Sequence, residues 1–107
     1  METIKSRQDF ERVFSRGRRF NHRLVRITVA ASGEGGPGRV AFVAPKRLGN
    51  AVFRNRCKRV LREAAREAGP PSEEHDVIMF ATRATHDAKP SDVSVALRTL
   101  LGKAGVR

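Results

Sequence analysis

The apolar positions of this chain fall into short groups with different spacings. Phe10, Val13 and Phe14 stand at i, i+3 and i+4, one face of a short helix. Ser6 and Asp9 precede them in capping-box spacing, and Gly17 can close the helix. From residue 24 to 31 the period drops to two. Val25, Ile27 and Val29 take one side and Arg26 and Thr28 the other, which predicts a strand. Residues 32–38 read as a glycine-rich turn, and residues 39–44 as a second strand that Pro45 ends. The longest element starts at Asn50, a good N-cap, and runs over residues 51–68 until Gly69-Pro70-Pro71 stops it. At 1.5 Å per residue it spans about 27 Å. Residues 77–81 are uninterruptedly apolar, the pattern of a central strand covered on both faces. Pro90-Ser91-Asp92 opens a last helix, with Val93, Leu97, Leu100 and Leu101 as its stripe and Gly102 as its stop.

The order helix, two strands, long helix, strand, helix predicts an α/β two-layer sandwich of the α+β kind, with a small central sheet. At 107 residues the chain is expected to be one domain, residues 1–107, since halves would be too small to bury a core. With 39% apolar and 31% charged residues it belongs with compact soluble domains, not disordered chains. A lone cysteine excludes an internal disulfide and a multi-cysteine zinc site. The longest apolar runs are five residues, too short to cross a membrane as a helix. The first residues have no secretory apolar region, so the expected location is cytoplasmic.

Charge changes the picture most. Twenty-two cations stand against 11 acids, a formal +11, and 17 of the 22 are arginine, whose planar fork suits phosphate. The excess is concentrated. Residues 35–62 hold eight cations and no acid, whereas residues 63–107 carry six cations and seven acids. On the long helix, Phe53, Cys57, Val60, Leu61, Ala64 and Ala68 fall within an arc of about 100°. Arg54, Asn55, Arg56, Lys58, Arg59, Arg62 and Arg66 occupy most of the other side. Like charges at i, i+4 (Arg54/Lys58, Lys58/Arg62, Arg62/Arg66) each cost a few tenths of a kcal/mol, and a solvated helix would have no need to retain them. A face this poor in acid points to nucleic-acid phosphate.

The run Gly49-Asn50-Ala51-Val52-Phe53-Arg54-Asn55-Arg56-Cys57-Lys58-Arg59-Val60-Leu61-Arg62-Glu63 resembles the Arg-Asn-Arg signature helix of the bacterial ribonuclease P protein subunit. The preceding strand with Pro45-Lys46-Arg47-Leu48-Gly49 is similar to that family's lead-in, Asp9-Phe10 through Phe14 to its first helix, and residues 76–81 to its last strand. The likeness runs in order from about residue 5 to residue 101.

The resemblance implies a protein cofactor for a catalytic RNA that removes the 5′ leader of precursor tRNA by Mg²⁺-assisted hydrolysis. Partners would be ribonuclease P RNA and precursor tRNA, and Mg²⁺ would be held mainly by RNA and substrate. It implies no catalytic residue and no metal ligand in the protein. Lys46, Arg47, Arg54, Asn55, Arg56, Lys58, Arg59 and Arg62 would face the catalytic RNA. Phe10 and Phe14 would line a leader cleft; spacing alone would pack them inward. The chain has no Tyr, so Ile27 or Phe42 would fill a tyrosine's place there. The resemblance also implies a left-handed crossover for the strand–helix–strand unit, against the usual right-handed rule.

Other signals carry less. Gly33 to Gly38 satisfies G-x-G-x-x-G, but a strand follows it and Pro37 sits inside, so it reads as a hairpin loop. Glu73-Glu74-His75-Asp76 reads as an ordinary acidic loop before a strand, and Cys57 as a small core filler. Arg83 follows the last strand one position later than the family pattern would have it. The rival readings are a ribosomal or DNA-binding module, which would bind duplexes unaided, and a protein-only nuclease, which would want metal-holding carboxylates.

Overall fold

The computed structural model describes residues 2–32, 38–71 and 74–106. Strands β1 (Glu2–Thr3), β2 (Arg18–Asn21), β3 (Val25–Ala31), β4 (Arg39–Val43) and β5 (His75–Ala81) form one mixed sheet in the order β1-β4-β5-β3-β2. Helices α1 (Arg7–Arg16), α2 (Ala51–Ala68) and α3 (Pro90–Ala104) pack against it, with 3₁₀ turns at Lys46–Leu48 and Arg83–Asp87. The α+β class expected from the pattern is the one observed.

The apolar run of β5 takes the centre of the sheet, antiparallel to β3 and parallel to β4. β4 and β5 are parallel neighbours, so the chain must cross over between them, and α2 makes that crossing. β3 and β4 are therefore not a hairpin, as residues 32–38 had suggested: β5 lies between them and is the strand most completely buried on both faces. The glycine run itself, residues 33–37, lies outside the described residues.

Alternation sorts the side chains. Val25, Ile27 and Val29 of β3, Val40 of β4, and Val77, Met79 and Ala81 of β5 join the core built with Val60, Leu61, Ala64, Leu97, Leu100 and Leu101 of α2 and α3. The opposite face puts Thr28 and Ile78 under α1, whose Val13 is fully buried. Cys57 is buried among the α2 core residues, as expected of a filler, and burial pushes its thiol up.

The helix ends follow their cap residues. The Ser6 hydroxyl accepts from the Gln8 and Asp9 amides, and Asn50 Oδ1 accepts from the Phe53 amide at 2.9 Å. α3 runs through Gly102 and stops at Gly105, which adopts the left-handed conformation (φ 76°) while the Val106 amide donates to the Leu101 carbonyl. Buried Leu100, Leu101 and Ala104 on either side of Gly102 carry the helix past the expected stop. The cluster Arg18-Arg19-Phe20-Asn21, a basic stretch with no assigned element in the sequence, is edge strand β2, held by pairing with β3.

Candidate nucleic-acid interface

α2 presents its cations as the 3.6-residue period requires, but not all alike. Asn55, Arg56, Arg59, Arg62 and Arg66 are exposed, and Val52 beside them is 79% exposed. Arg54 and Lys58 sit half-buried on the flank nearer the sheet, and Arg54 Nε donates to the Ala44 carbonyl at 3.2 Å. On the opposite flank Arg56 Nε donates to the His86 carbonyl at 2.9 Å, and the Phe53 and His86 rings stack at 4.1 Å. Glu63 and Glu67 lie further along the Arg56 flank by helical period. The i, i+4 row Arg54–Lys58–Arg62–Arg66 is thus free of acid and borders β4.

A second feature lies on the α1 face of the sheet. α1 covers only part of that face, leaving a cleft of about 420 Å³ lined by Phe14, Phe80, Arg19, Arg26, Pro45 and Arg47, among others. Phe14 is 44% exposed. Its ring stands 6.3 Å from Phe10 and 6.0 Å from Phe80, so the three form a row. The Arg19 guanidinium lies 5.1 Å over Phe14, and its Nη2 donates to the Phe14 carbonyl at 3.0 Å.

The structure brings Phe14 and Arg47 to this cleft and sets Phe10 at the end of the aromatic row, but it does not bring Phe42 there. Phe42 is in register with Met79, so both point to the α2–α3 side, and Phe42 packs partly buried against that core. Phe80, one position on, pairs with Val43 and Arg26 on the other face and fills the place beside Phe14. The strand register decides this parity, and a continuous apolar run does not reveal it. Ile27 is buried, its side chain in the core and only its edge at the cleft floor. Arg19, Arg26 and Phe80 were missed as site residues. The alternation of β3 had already put Arg26 on its polar face. Lys46 is exposed on the 3₁₀ turn next to Arg47 but does not line the cleft, and Arg83 is exposed on the later turn.

Asp76 is the main correction to the acidic-loop reading. It lies in β5 and is fully buried. Its carboxylate accepts from Arg12 Nη2 at 2.6 Å and from Arg39 Nη2 at 2.8 Å and Nε at 3.1 Å; Arg39 Nη1 also donates to Asp9 at 3.1 Å. The Asp9 carboxylate therefore serves this network, and of the expected capping box the bond from the Asp9 amide to the Ser6 hydroxyl is the half observed. Burial alone would raise the Asp76 pKa; the arginine hydrogen bonds and charges outweigh it and hold the carboxyl below its ordinary value. Arg39 is raised in turn, chiefly by its bond to Asp76. The network clamps α1 to β4 and β5, and so fixes where the Phe10–Phe14 side of the helix stands.

Among the described residues no three His, Cys, Asp or Glu side chains come together to hold a metal ion, and no helix is long and apolar enough to cross a membrane.

Sheet, clamp and cationic surfaces together define a small basic α+β protein with an arginine-lined helix face and an aromatic, arginine-rimmed cleft. The Ribonuclease P family model matches residues 1–105. The ribonuclease P protein components of Symbiobacterium thermophilum and Gluconacetobacter diazotrophicus are each 35% identical to the chain, over 96% and 97% of it and 90% and 91% of their own lengths. The solved structure of Staphylococcus aureus RNase P protein superposes with a TM-score of 0.80 at 27% identity, covering 99% of this chain and 97% of that one. A mutant of the Staphylococcus aureus protein, described as having defective mRNA degradation activity, superposes at 0.82 with 28% identity, over 98% of this chain and 89% of that one. The chain belongs to the ribonuclease P protein family.

Proposed function

We propose that this chain is the protein subunit of a cytoplasmic ribonuclease P ribonucleoprotein and assists removal of the 5′ leader from precursor tRNA. The α2 face, with Arg54, Asn55, Arg56, Lys58, Arg59 and Arg62, binds the catalytic RNA, joined by Lys46 and Arg47. The cleft takes the single-stranded leader: bases stack on Phe14 and Phe80, with Phe10 continuing the row, while Arg19, Arg26 and Arg47 meet the phosphates. One observation carries the reading. A solvent-open row of rings is rimmed by arginines beside a helix whose sheet-side cation row is free of acid, the combination a sequence-tolerant single-strand groove needs.

The chemistry belongs to the RNA in this reading. Mg²⁺, when bound, activates the attacking water and stabilises the leaving oxygen. In this reading it is held mainly by RNA and substrate. The chain's own side chains bind and orient. They place cations where two polyanions meet, which reduces the Mg²⁺ needed and favours precursor over mature tRNA.

The test is cleavage of a leader-bearing precursor at low Mg²⁺ by a bacterial ribonuclease P RNA alone, by the protein alone, and by both. Cleavage only with both supports the subunit reading. No cleavage from any mixture, with an RNA active at high Mg²⁺, favours a plain nucleic-acid-binding module. With about six to eight phosphates neutralised, log affinity should fall against log salt with a slope of about −4 to −7, and a slope near zero would sink the electrostatic account. The Staphylococcus aureus mutant gives a specific reason for a second reading, ribonuclease activity of the protein itself. The protein-alone arm, run also on an mRNA, reads it directly.

A further inference from the structure

Phe42 and Arg66 have no part in the cleft, yet they lie together. A groove of about 590 Å³ runs along the outer edge of β4, lined by Phe10, Phe42, Arg62 and Arg66 together with Thr3 and Ile4. β1 is only two residues long and pairs with Arg39 and Val40, so the edge from Ala41 to Val43 has no strand beside it. The Arg62 guanidinium stands 5.9 Å over the Phe42 ring, and both Arg62 and Arg66 are exposed. None of the ion pairs among the described residues involves either arginine.

Phe10 belongs to both features. On one side it continues the Phe14–Phe80 row of the cleft, and on the other it faces the edge groove. Rings and cations therefore follow one another from cleft to groove: Phe80, Phe14 and Phe10 over the sheet face, then Phe42 with Arg62 and Arg66 lining the groove that Phe10 shares. Aromatic faces at intervals, each accompanied by arginine, are the chemistry of a single strand of nucleic acid. Continuity with the cleft names the occupant as the same strand.

We infer that the single-stranded leader leaves the cleft past Phe10, crosses the edge of β4 onto Phe42, and ends against Arg62 and Arg66. The edge groove is a subsite for the nucleotides farthest from the cleavage point. The inference rests on the proposed leader role of the cleft. It also gives Phe42 a leader contact outside the cleft, and it gives Arg66 a role apart from the catalytic-RNA face, with Arg62 at the boundary between the two surfaces.

The test compares holoenzyme affinity for precursor tRNAs with a short leader of about three nucleotides and a long one of about ten, at fixed low salt. Arg66→Gln should weaken the long-leader substrate about three- to tenfold and leave the short-leader substrate and mature tRNA unchanged. Phe42→Leu keeps an apolar side chain for the core and removes the stacking face. It should show the same selective loss, about fivefold or more. Thermal melting of both variants checks the fold. Phe14→Ala, by contrast, should weaken short and long leaders alike.

Equal losses for short and long leaders with Arg66→Gln, or no loss with either variant, would overturn the edge subsite. Weaker assembly with the catalytic RNA, with leader preference intact, would assign Arg66 to the RNA instead and also overturn it. Failure of the underlying reading looks different: the unaltered holoenzyme would bind precursor and mature tRNA equally, whatever the leader length.

Discussion

Asp76→Asn tests the buried clamp that sets the cleft. The carboxylate is fully buried, while the Arg12 and Arg39 side chains remain 25% and 23% exposed. Losing the charge leaves two guanidiniums facing a neutral amide, and the amide's NH₂ presents donors to donors. Breaking a fully buried pair costs about 3–5 kcal/mol. The arginines' partial access to water brings the expectation here to about 2–4 kcal/mol. For a domain of this size each kcal/mol moves the melting temperature by about 4–8 °C, so the variant should melt some 10–25 °C lower at neutral pH. The pH dependence has a definite sign. Asp76 has a folded pKa below its unfolded value of about 3.9, so its contribution is complete above that value and is lost as pH falls through the folded pKa. The gap between wild type and Asp76→Asn should therefore be full at pH 7 and close in strong acid. Thermal unfolding followed by circular dichroism at constant ionic strength reads both. A variant melting within a few degrees of wild type at neutral pH, or a gap that persists into acid, would refute the clamp.

Three further outcomes follow from local geometry. Gly17→Ala should destabilise by about 1–3 kcal/mol in denaturant titration, because a Cβ there would lie 2.5 Å from both the Val13 carbonyl oxygen and Thr28 Cγ2. Asn50→Ala removes the α2 cap and should cost about 1 kcal/mol, read as a shift of the urea midpoint at unchanged m. Arg59→Glu, on the exposed centre of α2, should leave melting within about 0.5 kcal/mol of wild type and make the salt slope of catalytic-RNA binding shallower by one or two.

The helices and inner strands were legible because each carries a one-sided pattern. Phe10, Val13 and Phe14 mark α1, the α2 arc marks its docking face, and the alternation from Val25 to Val29 marks β3. What could not be read is whatever depends on a partner distant in the chain. β2 has three polar or charged residues around one Phe and becomes a strand only against β3. β1 has two residues and no pattern at all. Asp76 has the same local context as an exposed acid; its burial follows from Arg12 and Arg39, 64 and 37 positions away. The choice of Phe80 over Phe42 for the cleft needed the register between β4 and β5, since one position in a strand reverses the face.

The same distinction reshapes the charge argument. The eight cations of residues 35–62 look like one block along the chain, but folding sends them to different places. Arg39 is used internally against Asp76 and Asp9, Arg54 is tied to the Ala44 carbonyl, Arg47 turns to the cleft with Lys46 exposed beside it, and Arg56, Lys58, Arg59 and Arg62 line α2. Arg54 also makes a mechanical link. Its bond to Ala44 pins the first turn of α2 to the end of β4, directly before the Pro45–Arg47 segment that walls the cleft. Under the proposed function, the surface for the catalytic RNA and the groove for the leader share residues 44–47. Docking the helix on RNA would then fix one wall of the cleft before a substrate arrives, so part of the ordering cost of leader binding is met during assembly. Replacing Arg54 by Gln should therefore raise KM for leader-bearing substrate in the assembled enzyme more than the loss of a single RNA contact accounts for. Cleavage kinetics at saturating catalytic RNA would expose the difference, and an unchanged KM would break the link.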